Sequence, residues 1–134
     1  MKSRVNIGIY TSIYIKSILM SGSCNFMPAV VQVSDIANAR SALKSIKNLR
    51  EDMPIEEIEV VLHQEAIDIA LSDGEYSNLV LDLMTREIVF AACYNSMKAK
   101  DIKSIDLIDG MKIVDAGVGE IVKLQNDGWA YLKL

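Results

Sequence analysis

Only two cysteines, Cys24 and Cys93, and a single histidine, His63, occur in 134 residues. Two cysteines are too few for a disulfide framework, and they lack metal-ligand spacing. With one histidine, a zinc site built from Cys and His is nearly excluded. Free thiols fit a reducing, cytoplasmic setting. Proline and glycine are also scarce, at two and seven residues, while 51% of the chain is hydrophobic and 24% charged, which argues against disorder or low complexity. No internal repeat is visible. A basic cluster is missing as well. Lys2, Arg4 and Lys16 precede Met27, so the rest of the chain sets 11 basic residues against all 18 acidic ones, a balance of -7. Such a domain repels a phosphate backbone and an anionic membrane surface, and the reading is no nucleic acid and no membrane.

What is present suits one globular domain, long enough to bury a core without metals or disulfides. Residues 1–26 stand apart as an N-terminal extension of uncertain status. Their basic start, the uncharged run from Val5 to Ile15 and the small residues Ser21 to Ser23 outline a signal peptide. Lys16 interrupts that run, which is well short of the roughly 20 residues of a membrane span. The leucine expected three positions before a lipoprotein cysteine is absent, because Ser21 stands there. The other readings are a translated extension upstream of a start at Met27, or an N-terminal strand or arm.

The domain is expected over residues 27–134. Ala29 to Val33 reads as a short buried strand, followed by Ser34 or Asp35 as an N-cap. In IANARSALKSIKNLRED the apolar positions Ile36, Ala39, Leu43, Ile46 and Leu49 recur at three- and four-residue steps, which predicts an amphipathic helix ended near Pro54. Ile58 to Leu62 is a second strand and delivers His63 at its end. QEAIDIAL looks helical, Asp73-Gly74 is a turn, and Tyr76 to Arg86 carries helical spacing. Ile88 to Ala92 is the third strand. A short helix follows Cys93, then a strand at Lys112 to Val114, a helix at Val118 to Asn126 and a last strand in WAYLKL.

Strands that alternate with helices and are apolar along most of their length predict an α/β fold. The expected form is a small, mostly parallel sheet with helices on both faces, a flavodoxin- or Rossmann-like sandwich. In open sheets of this kind sites form beyond the carboxyl ends of the strands. That edge would hold Ser34 and Asp35, His63 and Gln64, Cys93 to Ser96, and Asp115 to Gly117.

Cys93 would sit where a helix begins, so backbone N–H groups and the positive end of the helix dipole lie near its sulfur and favour the thiolate. Asn95 and Ser96 would add donors to the sulfur or cap the helix. A free cysteine is also among the most commonly buried residue types, so a purely structural Cys93 competes with a reactive one. His63 has the same double reading. A lone histidine ending an apolar strand is a satisfied structural residue in most folds, whereas an imidazole beside a thiolate can exchange its proton. Glu65 and Asp68 read as solvated, and Gly117-Val118-Gly119 is too short to be a phosphate loop.

The order of these features resembles the DsrE/DsrF-like sulfur-relay family, which includes the TusD-type subunits. VVLHQEA follows the second strand, VFAACYNSM the third, and the chain closes with KIVDAGVGEIVKLQNDGWAYLKL, whose V-x-E-[IL]-V-x-L-Q helix followed by G-W-A-Y is the most specific part. The resemblance implies a DsrE-like α/β domain assembling as a homo-oligomer, a trimer or hexamer. It further implies a cytoplasmic sulfur carrier whose cysteine holds a persulfide between sulfur donor and acceptor proteins, a sulfurtransferase-type role that needs no cofactor. Cys93 falls on the family's sulfur-carrying position and His63 on the VVLH position, with Gln64 replacing the glycine associated with the next one. Two other classes stand beside the relay. One is a non-catalytic oligomeric subunit or small-ligand binding module with a structural cysteine. The other is a thiol redox sensor, which is weakened because residues 27–134 hold no second, resolving cysteine.

Overall fold

The computed structural model describes residues 27–134, so the readings of residues 1–26, Cys24 included, lie outside it. Five strands, β1 (Ala29–Val33), β2 (Ile58–Leu62), β3 (Val89–Cys93), β4 (Lys112–Val114) and β5 (Ala130–Lys133), form one sheet in the order β4-β3-β2-β1-β5. Every neighbouring pair is parallel. Four α-helices accompany them: α1 (Ala39–Asp52), α2 (Ser77–Thr85), α3 (Tyr94–Ala99) and α4 (Gly117–Asn126). The expected α/β architecture is therefore present, with a sheet that is parallel throughout the described residues.

Successive residues of a strand face opposite sides of a sheet, and the two sides here differ greatly in cover. Val31, Val33, Ile58, Val60, Leu62, Phe90 and Ala92 join the large core, which takes Ala42, Leu43 and Ile46 from α1, Val80 and Leu83 from α2, and Met97 from α3. The alternate residues Val30, Val61 and Ala91 meet only Ile121 of α4, with Leu124, Val114 and Trp129 at its margin. Chain direction explains the asymmetry. From β1 to β4 the strands step one way across the sheet, so crossovers of uniform hand place their helices on one face; β4 to β5 steps back past β1, so α4 lands on the other. Adjacent strands whose connections leave to opposite faces open a crevice at their carboxyl ends. Here those strands are β3 and β4.

Two local departures from the sequence reading have physical causes. The segment Gln64–Ala70 is a 3-10 turn rather than an α-helix. Its pattern has period three: Glu65 and Asp68 face outward, while Ala66 with Ile69, and Ile67 with Ala70, form two buried rows. The helix expected from Ile36 opens with a 3-10 turn, Ile36–Asn38, capped by the Asp35 carboxylate, which accepts the Ala37 N–H at 3.0 Å. At the amino edge, Arg50 donates to the carbonyls of Met53 (2.8 Å), Glu56 (2.9 Å) and Glu87 (3.3 Å), tying the end of α1 to the turns before β2 and β3. No helix among the described residues is long and apolar enough to cross a membrane.

Candidate functional site

Strand β3 runs one residue further than its apolar run suggested and ends on Cys93, which pairs with Val114 of β4 and is 5% exposed. The sulfur thus lies at the β3/β4 crevice. Burial pushes its thiol up, but four donors outweigh that effect and hold it below the ordinary thiol value: the Ser96 hydroxyl and the backbone N–H groups of Gly117, Ser96 and Asn95. Hydrogen bonds to the charged form are what favour a thiolate. Asn95 contributes through its backbone, and its N–H also reaches the Asp115 carbonyl at 3.3 Å.

Ser96 is itself oriented. Its oxygen accepts the Gln64 N–H at 2.8 Å, which leaves its own proton for the sulfur. Gln64 itself has a left-handed backbone, with φ of 54°. A side chain there costs on the order of 1 kcal/mol. This is the position where the sequence reading noted glutamine in place of glycine.

His63 continues β2 by one residue, as its N–H donates to the Val33 carbonyl at 3.2 Å. Because Leu62 pairs with Ala92, that extra residue brings His63 alongside Cys93 on the adjacent strand. Burial, and secondarily the positive charge of Lys133, hold the imidazole below its ordinary value and so favour the neutral ring. The four residues singled out from sequence, Cys93, His63, Asn95 and Ser96, therefore share one strand edge.

The sequence placed Gly117 at this edge but did not reveal its part as a donor to the sulfur. A Cβ there would come within 3.0 Å of Val61 Cγ1, 3.1 Å of His63 Cβ and 3.3 Å of His63 Cγ. Only a glycine lets α4 approach this closely and aim its first N–H at Cys93. The available signal was a glycine placed shortly after the last core strand and at the start of a helix. Further along the same helix, Glu120 and the β2 residue Glu59 share Lys112, whose Nζ lies 2.8 Å from Glu120 and 3.1 Å from Glu59. Burial, then the hydrogen bond to Glu120, push Glu59 up to about 7 despite Lys112. That same bond holds Glu120 below the usual carboxylate range. The cluster pins α4 to the sheet.

Outside the sulfur, a cleft of about 520 Å³ is lined by Gln64, Glu65, Asn95, Ser96, Ala99 and Lys100. Lys100 is committed to Asp68 at 2.9 Å and Glu65 at 3.3 Å.

The sequence profile of the DsrE/DsrF-like family matches residues 18–134. The chain belongs to the DsrE/DsrF-like family. Membership points to a sulfur-relay role in general terms. Among solved structures, this family member is similar to MTH1491 from Methanobacterium thermoautotrophicum, a protein of unknown function, with 30% identity and a TM-score of 0.75 over 82% of this chain and 100% of that one. The ychN protein from E. coli shares the fold at 17% identity and a TM-score of 0.69, over 81% of this chain and 100% of its own. BT1422 from Bacteroides thetaiotaomicron does so at 14% identity and 0.62, over 79% and 94%. No curated protein matches.

Proposed function

We propose that this protein is a sulfur carrier that holds a persulfide on Cys93 between a donor and an acceptor protein, in a reducing, cytoplasmic setting. The observation that carries the reading is the placement of Cys93 at the carboxyl end of β3, in the sheet's crevice and directly before α3, where the Ser96 hydroxyl and nearby backbone N–H groups hold its thiol below the ordinary value. Donors so placed keep a thiolate available at neutral pH without a cofactor. The exchange balances by itself. The Cys93 thiolate attacks the outer sulfur of a donor persulfide, R–S–SH; a bond forms between Cys93 Sγ and that sulfur, and R–S⁻ leaves. An acceptor thiolate then attacks the same outer sulfur and Cys93 leaves as thiolate. The cleft beside Gln64 and Ser96 is the approach for both partners, and shelter of the sulfur limits over-oxidation of the persulfide.

The test is intact mass after incubation with a sulfane-sulfur donor. The expected gain is one sulfur, about 32 Da, lost on adding a reductant and absent in Cys93→Ser. A mass that never changes, with Cys93 resisting alkylation in the native protein, would sink the reading. One observation favours a second reading, a binding module with a structural cysteine: Cys93 is only 5% exposed. Resistance to alkylation is the result that selects it.

A further inference from the structure

One polar side chain interrupts the apolar strand β1, and it faces His63. Gln32 pairs in register with Val61 of β2 and Lys133 of β5, so it lies on the same face as the alternate β2 residue His63. Its Nε2 is 2.8 Å from His63 Nε2. Its Oε1 accepts a hydrogen bond from the Tyr131 hydroxyl of β5. The chain Tyr131–Gln32–His63 thus runs from the edge strand inward to the histidine beside Cys93.

The chemistry of the amide decides what this does. An amide nitrogen carries two hydrogens and accepts nothing, so the nitrogen of His63 that faces it must be the acceptor. A neutral imidazole with Nε2 as acceptor carries its proton on Nδ1. Protonating Nε2 would set one N–H against another. The Tyr131 hydroxyl completes the arrangement by donating to the amide oxygen that faces away from His63.

We infer that Gln32, partnered by Tyr131, is a positioning residue that holds His63 as the neutral Nδ1–H tautomer, with Nε2 engaged by the amide rather than free to take the Cys93 proton. The inference rests on the sulfur-carrier reading for what the ring is used for, and not for how the ring is held. Its surroundings agree. On the sheet face around the ring the ionisable neighbours are Lys133 and Tyr131 from β5 and Cys93 from β3, and the lysine, like burial, opposes a second proton on the imidazole. From α4 the nearest approach is Gly117, which brings no charge. With His63 unable to act as base, the acidity of Cys93 depends on the four donors already described.

His63 is the single histidine in the chain, so long-range proton–nitrogen NMR of the uniformly labelled full chain shows one imidazole. The expected wild-type spectrum has the proton on Nδ1 and an unprotonated Nε2, unchanged from pH 8 down past the ordinary histidine titration. Gln32→Glu replaces the donor by a carboxylate and should move the proton to Nε2, raise the pH at which the ring titrates, and add a second ionisation to the pH profile of Cys93 alkylation. Gln32→Met, which keeps the length without a donor, should leave a mixture of tautomers. A wild-type proton on Nε2 would overturn the inference, as would a ring that titrates at its ordinary pH with an unaltered profile in Gln32→Glu. The NMR result does not depend on sulfur loading, so a correct tautomer together with a failed mass test would reject the carrier and leave the positioning intact.

Discussion

The Ser96 oxygen accepts the Gln64 N–H at 2.8 Å while its proton serves the Cys93 sulfur, so one small side chain links two strand ends. Replacing it with alanine removes a donor to a charged group and leaves the Gln64 N–H without that partner. A hydrogen bond to a charged group is worth about 1.5 to 3 kcal/mol. Ser96→Ala should therefore slow iodoacetamide alkylation at pH 7 by roughly tenfold and move the alkylation–pH midpoint upward. Ser96→Thr, which keeps the hydroxyl, should restore most of the rate. The sign follows from the charge state: the donor favours thiolate, so its loss demands a higher pH for the same thiolate fraction. An unchanged midpoint in Ser96→Ala would mean that the backbone donors suffice.

Among the elements, α4 matters most to the sulfur, because among the described residues it alone covers the second face of the sheet and its first residue donates to Cys93. Gly117→Ala places a Cβ 3.0 to 3.3 Å from Val61 and His63, and the helix must move out to relieve it. Overpacking of this kind costs about 1 to 3 kcal/mol. The expected outcome is a lower melting temperature together with a Cys93 alkylation midpoint shifted upward, read by calorimetry and by alkylation across pH. A loss of stability alone, with the midpoint unmoved, would show that the Gly117 N–H is not needed. The strands β1, β2 and β4 were legible to the residue, since short apolar, β-branched runs bounded by polar residues have few other interpretations. The Gln64–Ala70 segment was not, because two apolar rows at spacing three look helical until tertiary burial selects the 3-10 form.

At the scale of the molecule, the described residues cover the sheet unevenly and leave apolar surface on its thin side. Val118 and Val122 of α4 are 59% and 63% exposed, and Val89 and Tyr131 on the same side of the sheet are more than two-fifths exposed. We propose that this side meets other copies of the chain in a trimer or hexamer. Sedimentation at micromolar concentration should give the mass of one of those assemblies, and Val122→Lys should shift it toward monomer; a wild-type monomer throughout that range would refute the proposal. The candidate site was legible only where it follows strand ends. Cys93, His63, Asn95 and Ser96 are adjacent to apolar runs that any parallel sheet directs to one edge. Gln32 and Tyr131 are 99 residues apart and meet only through the pairing of β1 with β5, so nothing local announces them, although a glutamine inside AVVQV was a polar residue in need of a partner.

That pairing also bears on folding. The first strand of the sheet lies between the second and the fifth, so among the described residues its outer edge is covered by β5. Contacts of such long sequence separation close large loops, which slows folding. Cys93 and its three backbone donors belong to β3, α3 and the start of α4, whereas the amide that sets the His63 proton receives its Tyr131 partner only when β5 docks. The sulfur cradle is thus built without β5, whereas the arrangement around the histidine requires it.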